Sequence, residues 1–106
     1  MKIAIIGMGY VGIPLAYNLS KNFEIIGYDV DTAKINELKL GNDCIGEYTK
    51  KELNRTEINF TSDPDAIKDM NIYIVCVPTP IGVDKKPDLS YIKSATDLIS
   101  KKMNKN

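Results

Sequence analysis

The sequence contains no histidine and no tryptophan, and only two of its 106 residues are cysteines. Without histidine, Ser-His-Asp and Cys-His catalysis and the commonest zinc ligand sets are excluded. The two cysteines, Cys44 and Cys76, do not provide the disulfide framework of a small secreted domain. The sequence therefore offers no histidine-dependent catalytic site and no common zinc site, and we assign no metal ligand to it.

Long apolar runs and net charge are also absent. No apolar stretch approaches the ~20 residues of a membrane span, and the amino terminus lacks the three regions of a signal peptide. Lys plus Arg and Asp plus Glu both number 14, which argues against nucleic-acid binding through bulk electrostatics. We expect a cytoplasmic protein with neither a nucleic-acid nor a membrane partner.

The apolar pattern predicts strands that alternate with helices in a single domain. Such alternation is typical of a parallel sheet with helices on both faces, and right-handed crossovers make it a doubly wound α/β sheet in the order 3-2-1-4. The connections at 42–56 and 78–87 are predicted as loops, the first with one or two helical turns. The predicted strands are 2–6, 24–29, 57–61 and 72–77, and the predicted helices are 10–21, 31–40, a short one from Ser62 or Asp63, and 88–103.

The glycine-rich segment GMGYVG lies between the first predicted strand and the first predicted helix. In a dinucleotide-binding turn, Gly7 permits the tight bend, Gly9 lets the backbone approach a pyrophosphate, and Gly12 allows close packing of the helix. The amides near Tyr10 and Val11, at the positive end of the helix, would donate to the phosphates. On its own the motif is equally compatible with a flexible turn.

An acidic residue, Asp29, ends the second predicted strand roughly 20 residues after the first glycine, as the motif requires. Its carboxylate can accept hydrogen bonds from the adenosine ribose hydroxyls and would repel a 2′-phosphate, which favours NAD over NADP. The alternative is a solvated acid that caps the next helix, although Asp31 is better placed for that role. Together these features predict a Rossmann-type NAD-binding domain.

A second informative segment, VCVPTPIGVDKKPDLS, begins in the fourth predicted strand. The carboxyl end of this strand lies beside that of strand one, where doubly wound sheets bind their ligands. Thr79 is therefore expected near the nicotinamide half of the cofactor, in a segment stiffened by Pro78 and Pro80. A rigid surface turn before a helix capped by Asp88 explains the same residues equally well.

Four segments carry a resemblance to a known family: KIAIIGMGYVGIPLA, GYDVDTAKINEL, FTSDPDAIKDMNIYIVCVPTP and KPDLSYIKSATDLI. Together they resemble the amino-terminal NAD-binding domain of the UDP-glucose/GDP-mannose dehydrogenase family, over essentially the whole chain. Within that family they look most like bacterial UDP-N-acetylhexosamine 6-dehydrogenases. The resemblance implies that a nucleotide-sugar C6 alcohol is oxidised to a uronic acid with two NAD.

The resemblance also implies site residues by position. It places the pyrophosphate on the glycine loop, the adenosine ribose at the end of the second strand, and the nicotinamide near the proline-rich loop. The corresponding residues are Gly7, Gly9, Tyr10, Val11 and Gly12 for the pyrophosphate, Asp29 with Lys34 for the ribose, and Thr79 for the nicotinamide.

The family's reacting groups, including its cysteine motif, lie further along than residue 106, and neither Cys44 nor Cys76 matches that motif. Residues 1–106 are therefore expected to form an NAD-binding domain without the central helix and substrate domain, and without turnover of its own. The nucleotide sugar would bind to the missing part, and the full-length protein would be a homodimer. Alone, the apolar strand 72–77 would be an exposed edge that invites self-association, unless the last helix covers it.

A stand-alone nucleotide-sensing module is the alternative function. The regulatory domains attached to potassium transport systems also begin with a strand, GxGxxG, a helix, a second strand and an aspartate. The PTP and PDLS sequences favour the dehydrogenase, because a sensor has no evident need for a stiffened segment at the nicotinamide position.

Overall fold

A four-stranded parallel sheet forms the centre of the computed structural model, which describes residues 1–42, 57–77 and 90–102. The strand order is β3-β2-β1-β4, so the predicted order 3-2-1-4 is confirmed. The helical turns predicted within 42–56 and the loop that contains Thr79 lie outside the described residues. The strands are β1 (Lys2–Ile6), β2 (Glu24–Tyr28), β3 (Asn59–Thr61) and β4 (Ile72–Val75).

β1 is almost wholly apolar because it lies between two strands and is covered on both faces. Its Ile5 pairs with Gly27 of β2 on one side and with Ile74 of β4 on the other. Successive side chains of a strand point to opposite faces. In agreement, Ile3 and Ile5 belong to one buried cluster, whereas Ala4 and Ile6 belong to another.

Helices cover both faces of the sheet, as the alternation predicted. The helices α1 (Gly12–Leu19) and α2 (Thr32–Lys39) pack on the face of Ile3 and Ile5. A single 3-10 turn (Pro64–Ile67) and the helix α3 (Ser90–Lys102) pack on the other face. The first cluster includes Ile13, Ala16, Ile35 and Leu38, and the second includes Ala4, Ile6, Tyr28, Ile67, Ala95 and Ile99. Among the described helices, none is long and apolar enough to cross a bilayer.

The helix boundaries follow the predicted capping residues. Asp31 caps α2 by accepting a hydrogen bond from the Lys34 amide at 3.1 Å, and Gly41 follows the helix with a φ of +87°. Asp63 caps the 3-10 turn and Pro64 lies in its first position. α1 begins at Gly12 rather than at residue 10, because the two preceding residues belong to the glycine-rich turn.

β1 has its predicted bounds, but the other three strands are shorter than predicted, and β3 begins at Asn59 rather than at residue 57. β2 ends at Tyr28, and β4 ends at Val75 although the next two residues are also apolar. Backbone hydrogen bonds nevertheless continue past the strand ends, because Cys76 donates to Ile6 at 2.7 Å and Asp29 donates to Thr61 at 3.2 Å. Both segments are therefore still held by backbone hydrogen bonds at the carboxyl edge of the sheet.

Candidate functional site

The first glycine of the motif forms the bend that leads out of β1. Gly7 has a φ of +107°, and its N–H donates to the Tyr28 carbonyl at 2.7 Å. A Cβ atom here would lie 2.8 Å from the carbonyl carbon and oxygen of Cys76. Both the backbone conformation and the proximity of the chain after β4 therefore require glycine.

The third glycine allows α1 to begin directly against the same bend. A Cβ atom on Gly12 would lie 1.8 Å from the Gly7 carbonyl oxygen and 2.9 Å from its carbon. The close packing predicted for Gly12 is present. Its partner is the backbone of the motif's own first glycine, just beyond the end of β1.

The second glycine is different, because no described part of the chain requires it. Among the residues that the structure describes, a Cβ atom on Gly9 would have nothing within 4 Å, and Gly9 is not among their glycines with positive φ. Neither packing nor backbone strain explains a glycine at this position. The space beside it is open, as a backbone that receives a ligand at close range would need.

The amino terminus of α1 comes three residues after Gly9 and lacks a side-chain cap. Val11 occupies the capping position, its side chain makes no capping hydrogen bond, and the first turn carries no acidic residue. The side chains of Tyr10 and Val11 are 81% and 63% exposed. An uncapped helix start with its positive dipole end is favourable to an anion.

Met8, between the first two glycines, anchors the loop in the core. Its side chain is fully buried, and it packs where Gly27 of β2 leaves room. A Cβ atom on Gly27 would lie 2.7 Å from the Met8 sulfur and 3.1 Å from the Phe60 ring. Sequence reasoning missed this contact, although a glycine inside a strand is itself a signal of close approach.

Asp29 follows β2, and its carboxylate contacts the glycine loop, the residue that caps α2 and a lysine of α2. Its Oδ2 accepts a hydrogen bond from the Met8 N–H at 2.8 Å, and its Oδ1 accepts one from the Asp31 N–H at 2.9 Å. The Lys34 Nζ lies 3.6 Å from Oδ2, and the Asp29 side chain is only 12% exposed. The structure thus brings Asp29 and Lys34 together, while Asp31 caps α2 as predicted.

A cavity of about 480 Å³ lies beside Asp29, between the carboxyl ends of the strands and α3. Burial raises the pKa of the Tyr28 hydroxyl, and the neighbouring carboxylates of Asp29 and Asp63 raise it further. The lining comprises Ile6, Gly7, Tyr28, Asp29, Val30, Asp31, Lys34, Val77, Ser94, Ala95 and Leu98.

The α3 residues of this wall were not predicted as part of the site. Ser94, Ala95 and Leu98 are remote in sequence from the glycine motif, and the only available signal was the apolar side of the last helix. Two other expectations, Thr79 and Cys44, lie outside the described residues. Burial raises the pKa of the Cys76 thiol, which packs against the core as a small apolar side chain.

Comparison with known proteins agrees with this geometry. Residues 1–106 match the model of the UDP-glucose/GDP-mannose dehydrogenase family, NAD binding domain. Over 106 residues the chain is 43% identical to the UDP-N-acetyl-D-glucosamine 6-dehydrogenase of Salmonella typhi, and the match covers 99% of this chain and 25% of that protein. The chain thus spans about a quarter of the length of this curated relative.

Solved structures show the same fold over nearly the whole chain. A UDP-D-ManNAc dehydrogenase from Pyrococcus horikoshii has a TM-score of 0.89 at 29% identity, covering 98% of this chain and 26% of its own. A ternary complex of GDP-mannose dehydrogenase from Pseudomonas aeruginosa has a TM-score of 0.85 at 32% identity, covering 93% and 24%. The chain therefore belongs to the UDP-glucose/GDP-mannose dehydrogenase family, as a Rossmann-type NAD-binding domain whose cofactor is NAD.

Proposed function

We propose that this domain holds NAD across the carboxyl edge of its sheet, with the pyrophosphate on the glycine loop. The open position beside Gly9 is the observation that carries the proposal, since none of the residues described in the structure requires a glycine there. The amides near Tyr10 and Val11, at the uncapped start of α1, donate to the phosphate oxygens. Gly7 and Gly12 shape the turn that brings these amides together.

The adenosine ribose binds at Asp29 in this proposal. Each carboxylate oxygen accepts one backbone N–H and keeps further acceptor capacity, so both oxygens can serve ribose hydroxyls. Lys34, 3.6 Å from Oδ2, lies at the same end of the cofactor. The charge of Asp29 opposes a 2′-phosphate, which makes NAD the preferred nucleotide.

The cavity beside Asp29 receives the adenine. Val30 and Leu98 come from different elements and supply apolar surface, which suits the faces of a planar base. We propose the nicotinamide half near Thr79, because Cys76, three residues earlier, abuts Gly7 at the glycine loop. Bound NAD supplies the hydride acceptor, while the chain's own residues bind and orient it.

For the protein to which this domain belongs, we propose oxidation of the C6 alcohol of a UDP-hexose or UDP-N-acetylhexosamine to a uronic acid. The two oxidation steps consume two NAD, and water supplies the second carboxylate oxygen. The family and the name of the Salmonella typhi relative support this role, which would provide uronic acids for surface polysaccharides. The substrate-binding and reacting groups, and the homodimer contact, would come from outside residues 1–106, so the domain alone is not competent for turnover.

Calorimetry of the 106-residue chain with NAD and NADP tests the binding proposal. We expect NAD to bind, and NADP to bind at least about tenfold more weakly, which corresponds to ~1.4 kcal/mol. Addition of UDP-N-acetylglucosamine and NAD should produce no NADH absorbance. Equal affinity for the two nucleotides would remove Asp29 as the selective residue, and NADH formation would contradict the proposed lack of turnover.

The complete open reading frame tests the whole-protein role. A Ser-Thr segment followed by the family's cysteine motif is the expected result. Their absence from the complete frame would favour the stand-alone nucleotide-sensing module instead.

A further inference from the structure

The Asp29 carboxylate contacts the glycine loop directly. Its Oδ2 lies 2.8 Å from the Met8 nitrogen, and its other oxygen lies 2.9 Å from the Asp31 nitrogen. Met8 stands between the first two glycines of the motif. The residue expected to bind ribose is thus already bonded to the segment expected to bind pyrophosphate.

The loop needs such restraint because glycines on both sides of Met8 give its backbone unusual freedom. The Met8 side chain is buried in the core against Gly27, which fixes one end of the residue. The hydrogen bond to Asp29 fixes the peptide N–H at the other end. A bond to a largely buried carboxylate is stronger than one between neutral groups, so it can hold the peptide in one orientation.

We propose that Asp29 is a positioning residue for the phosphate-binding loop, in addition to its contact with ribose. Its carboxylate holds the Met8 peptide so that the following amides keep the orientation that receives the pyrophosphate. This inference rests on the proposed NAD-binding function. The positioning role can be distinguished from ribose binding in one respect: Asp29 must contribute to the affinity for a nucleotide that has no ribose hydroxyls.

Asp31 provides a matched control on the same turn. It carries the same side chain two residues later, but its carboxylate caps α2 and accepts from the Lys34 amide. An Asp31→Ala variant removes one negative charge near the site and keeps the Asp31 N–H that donates to Asp29. It therefore controls for charge and for the stability of α2 without removing the bond to Met8.

The experiment compares ADP with 2′,3′-dideoxy-ADP by calorimetry on the 106-residue chain. Asp29→Ala is expected to weaken dideoxy-ADP binding about tenfold, in line with the loss of a hydrogen bond to a charged group. It should weaken ADP binding further, because the ribose contact is also lost. Asp31→Ala, at a residue that also lines the cavity, should weaken dideoxy-ADP binding clearly less than Asp29→Ala does, because it keeps the bond to Met8.

Asp29→Asn is the conservative variant, because its amide oxygen can still accept from the Met8 N–H. We expect it to retain more dideoxy-ADP affinity than Asp29→Ala does. The Met8 amide resonance, followed by NMR without ligand, should move most in Asp29→Ala and less in Asp29→Asn. If the alanine variant does not fold, Asp29→Asn is compared with wild type instead. We then expect Asp29→Asn to bind dideoxy-ADP more weakly than wild type and to show a shifted Met8 amide resonance.

Three results would overturn the inference. The first is unchanged dideoxy-ADP affinity in Asp29→Ala while wild type still binds ADP. If the alanine variant does not fold, the same result in Asp29→Asn counts instead. Either result would leave the proposed NAD function intact. The second is an equal loss in Asp31→Ala, which would indicate a general charge effect. The third is wild type that binds neither nucleotide, which would remove the inference together with the proposed function.

Discussion

Gly12 and Gly7 approach so closely that a Cβ atom on Gly12 would lie 1.8 Å from the Gly7 carbonyl oxygen. The same atom built on Gly9 would meet no atom within 4 Å in the part of the chain that the structure describes. The glycines of one motif thus answer to different requirements. Two of them are needed by the fold, and the third is free for a ligand.

Gly12→Ala should destabilise the domain strongly. The added methyl group collides with backbone rather than with a flexible side chain, so either α1 or the loop must move. We expect a loss of about 3 kcal/mol or more in the free energy of unfolding, measured by urea denaturation. Gly9→Ala is the matched control and should stay within ~1 kcal/mol of wild type. Equal stability of the two variants would contradict the packing argument.

Gly9→Val should abolish NAD binding and leave the domain folded. The protein has room for the side chain, whereas a bound pyrophosphate would occupy the same space. Calorimetry measures the binding, and the urea midpoint shows that the fold is retained. Binding at wild-type affinity would show that no ligand approaches the backbone at this position.

Asp29→Ala should weaken NAD binding and reduce the preference for NAD over NADP. Removal of the carboxylate leaves Lys34, now unpaired from Asp29, beside the position of a 2′-phosphate. When Lys34→Met is added to Asp29→Ala, NADP affinity should be lower than in the single variant, while NAD affinity should change by less than about threefold. Calorimetry with both nucleotides checks this. If adding Lys34→Met lowers NAD and NADP affinity equally, Lys34 does not distinguish the two nucleotides at the 2′ position.

Tyr28 should make the domain sensitive to alkali. Burial and the nearby Asp29 and Asp63 raise its pKa above 10.0, the ordinary value for tyrosine. Once the pH passes 10, the unfolded chain loses this proton while the folded chain retains it, so the free energy of unfolding falls as pH rises. Tyr28→Phe lacks the titrating group and should show a smaller fall.

Urea denaturation of wild type and Tyr28→Phe between about pH 8 and 11 measures this difference. The other tyrosines and the lysines titrate in both proteins, so the difference between the two curves isolates Tyr28. Parallel curves would mean that the hydroxyl titrates alike in the folded and unfolded states.

The outer edge of β4 should lead the 106-residue chain to self-associate. β4 is the last strand in the order, and Ile72 and Val75 are each 39% exposed. We expect gel filtration to show an apparent mass that increases with concentration. Val75→Lys should reduce this, because a charged side chain opposes pairing at a strand edge. Leu40→Lys, which changes an exposed residue after α2, is the control, and a monomer at high concentration would contradict the expectation.

Local chemistry made much of the fold predictable. The apolar sequence of β1 indicated a strand covered on both faces, and Asp31 and Gly41 marked the ends of α2. Strand ends were less predictable. Cys76 and Val77 continue the apolar pattern past Val75, but apolar side chains are also needed where the chain leaves the sheet and packs on the core.

The contacts within the site depend on three-dimensional proximity that spacing does not encode. The motif placed Asp29 at the correct edge, but its bond to the Met8 N–H depends on the direction of a peptide within the loop. The contact between Met8 and Gly27 joins the loop after β1 to the neighbouring strand β2. The α3 wall of the cavity lies beyond a connection whose course the residue pattern does not specify.

The position of Leu98 in that wall limits how small a functional domain can be. A fragment shortened to end after β4 would keep the glycine loop, Asp29 and the whole sheet, yet it would leave the cavity open on one side. Deletion of the last helix would also expose the apolar face formed by Ala4 and Ile6. We therefore expect the minimal nucleotide-binding unit to extend through α3, although every residue of the recognisable motif lies within the first 29 positions.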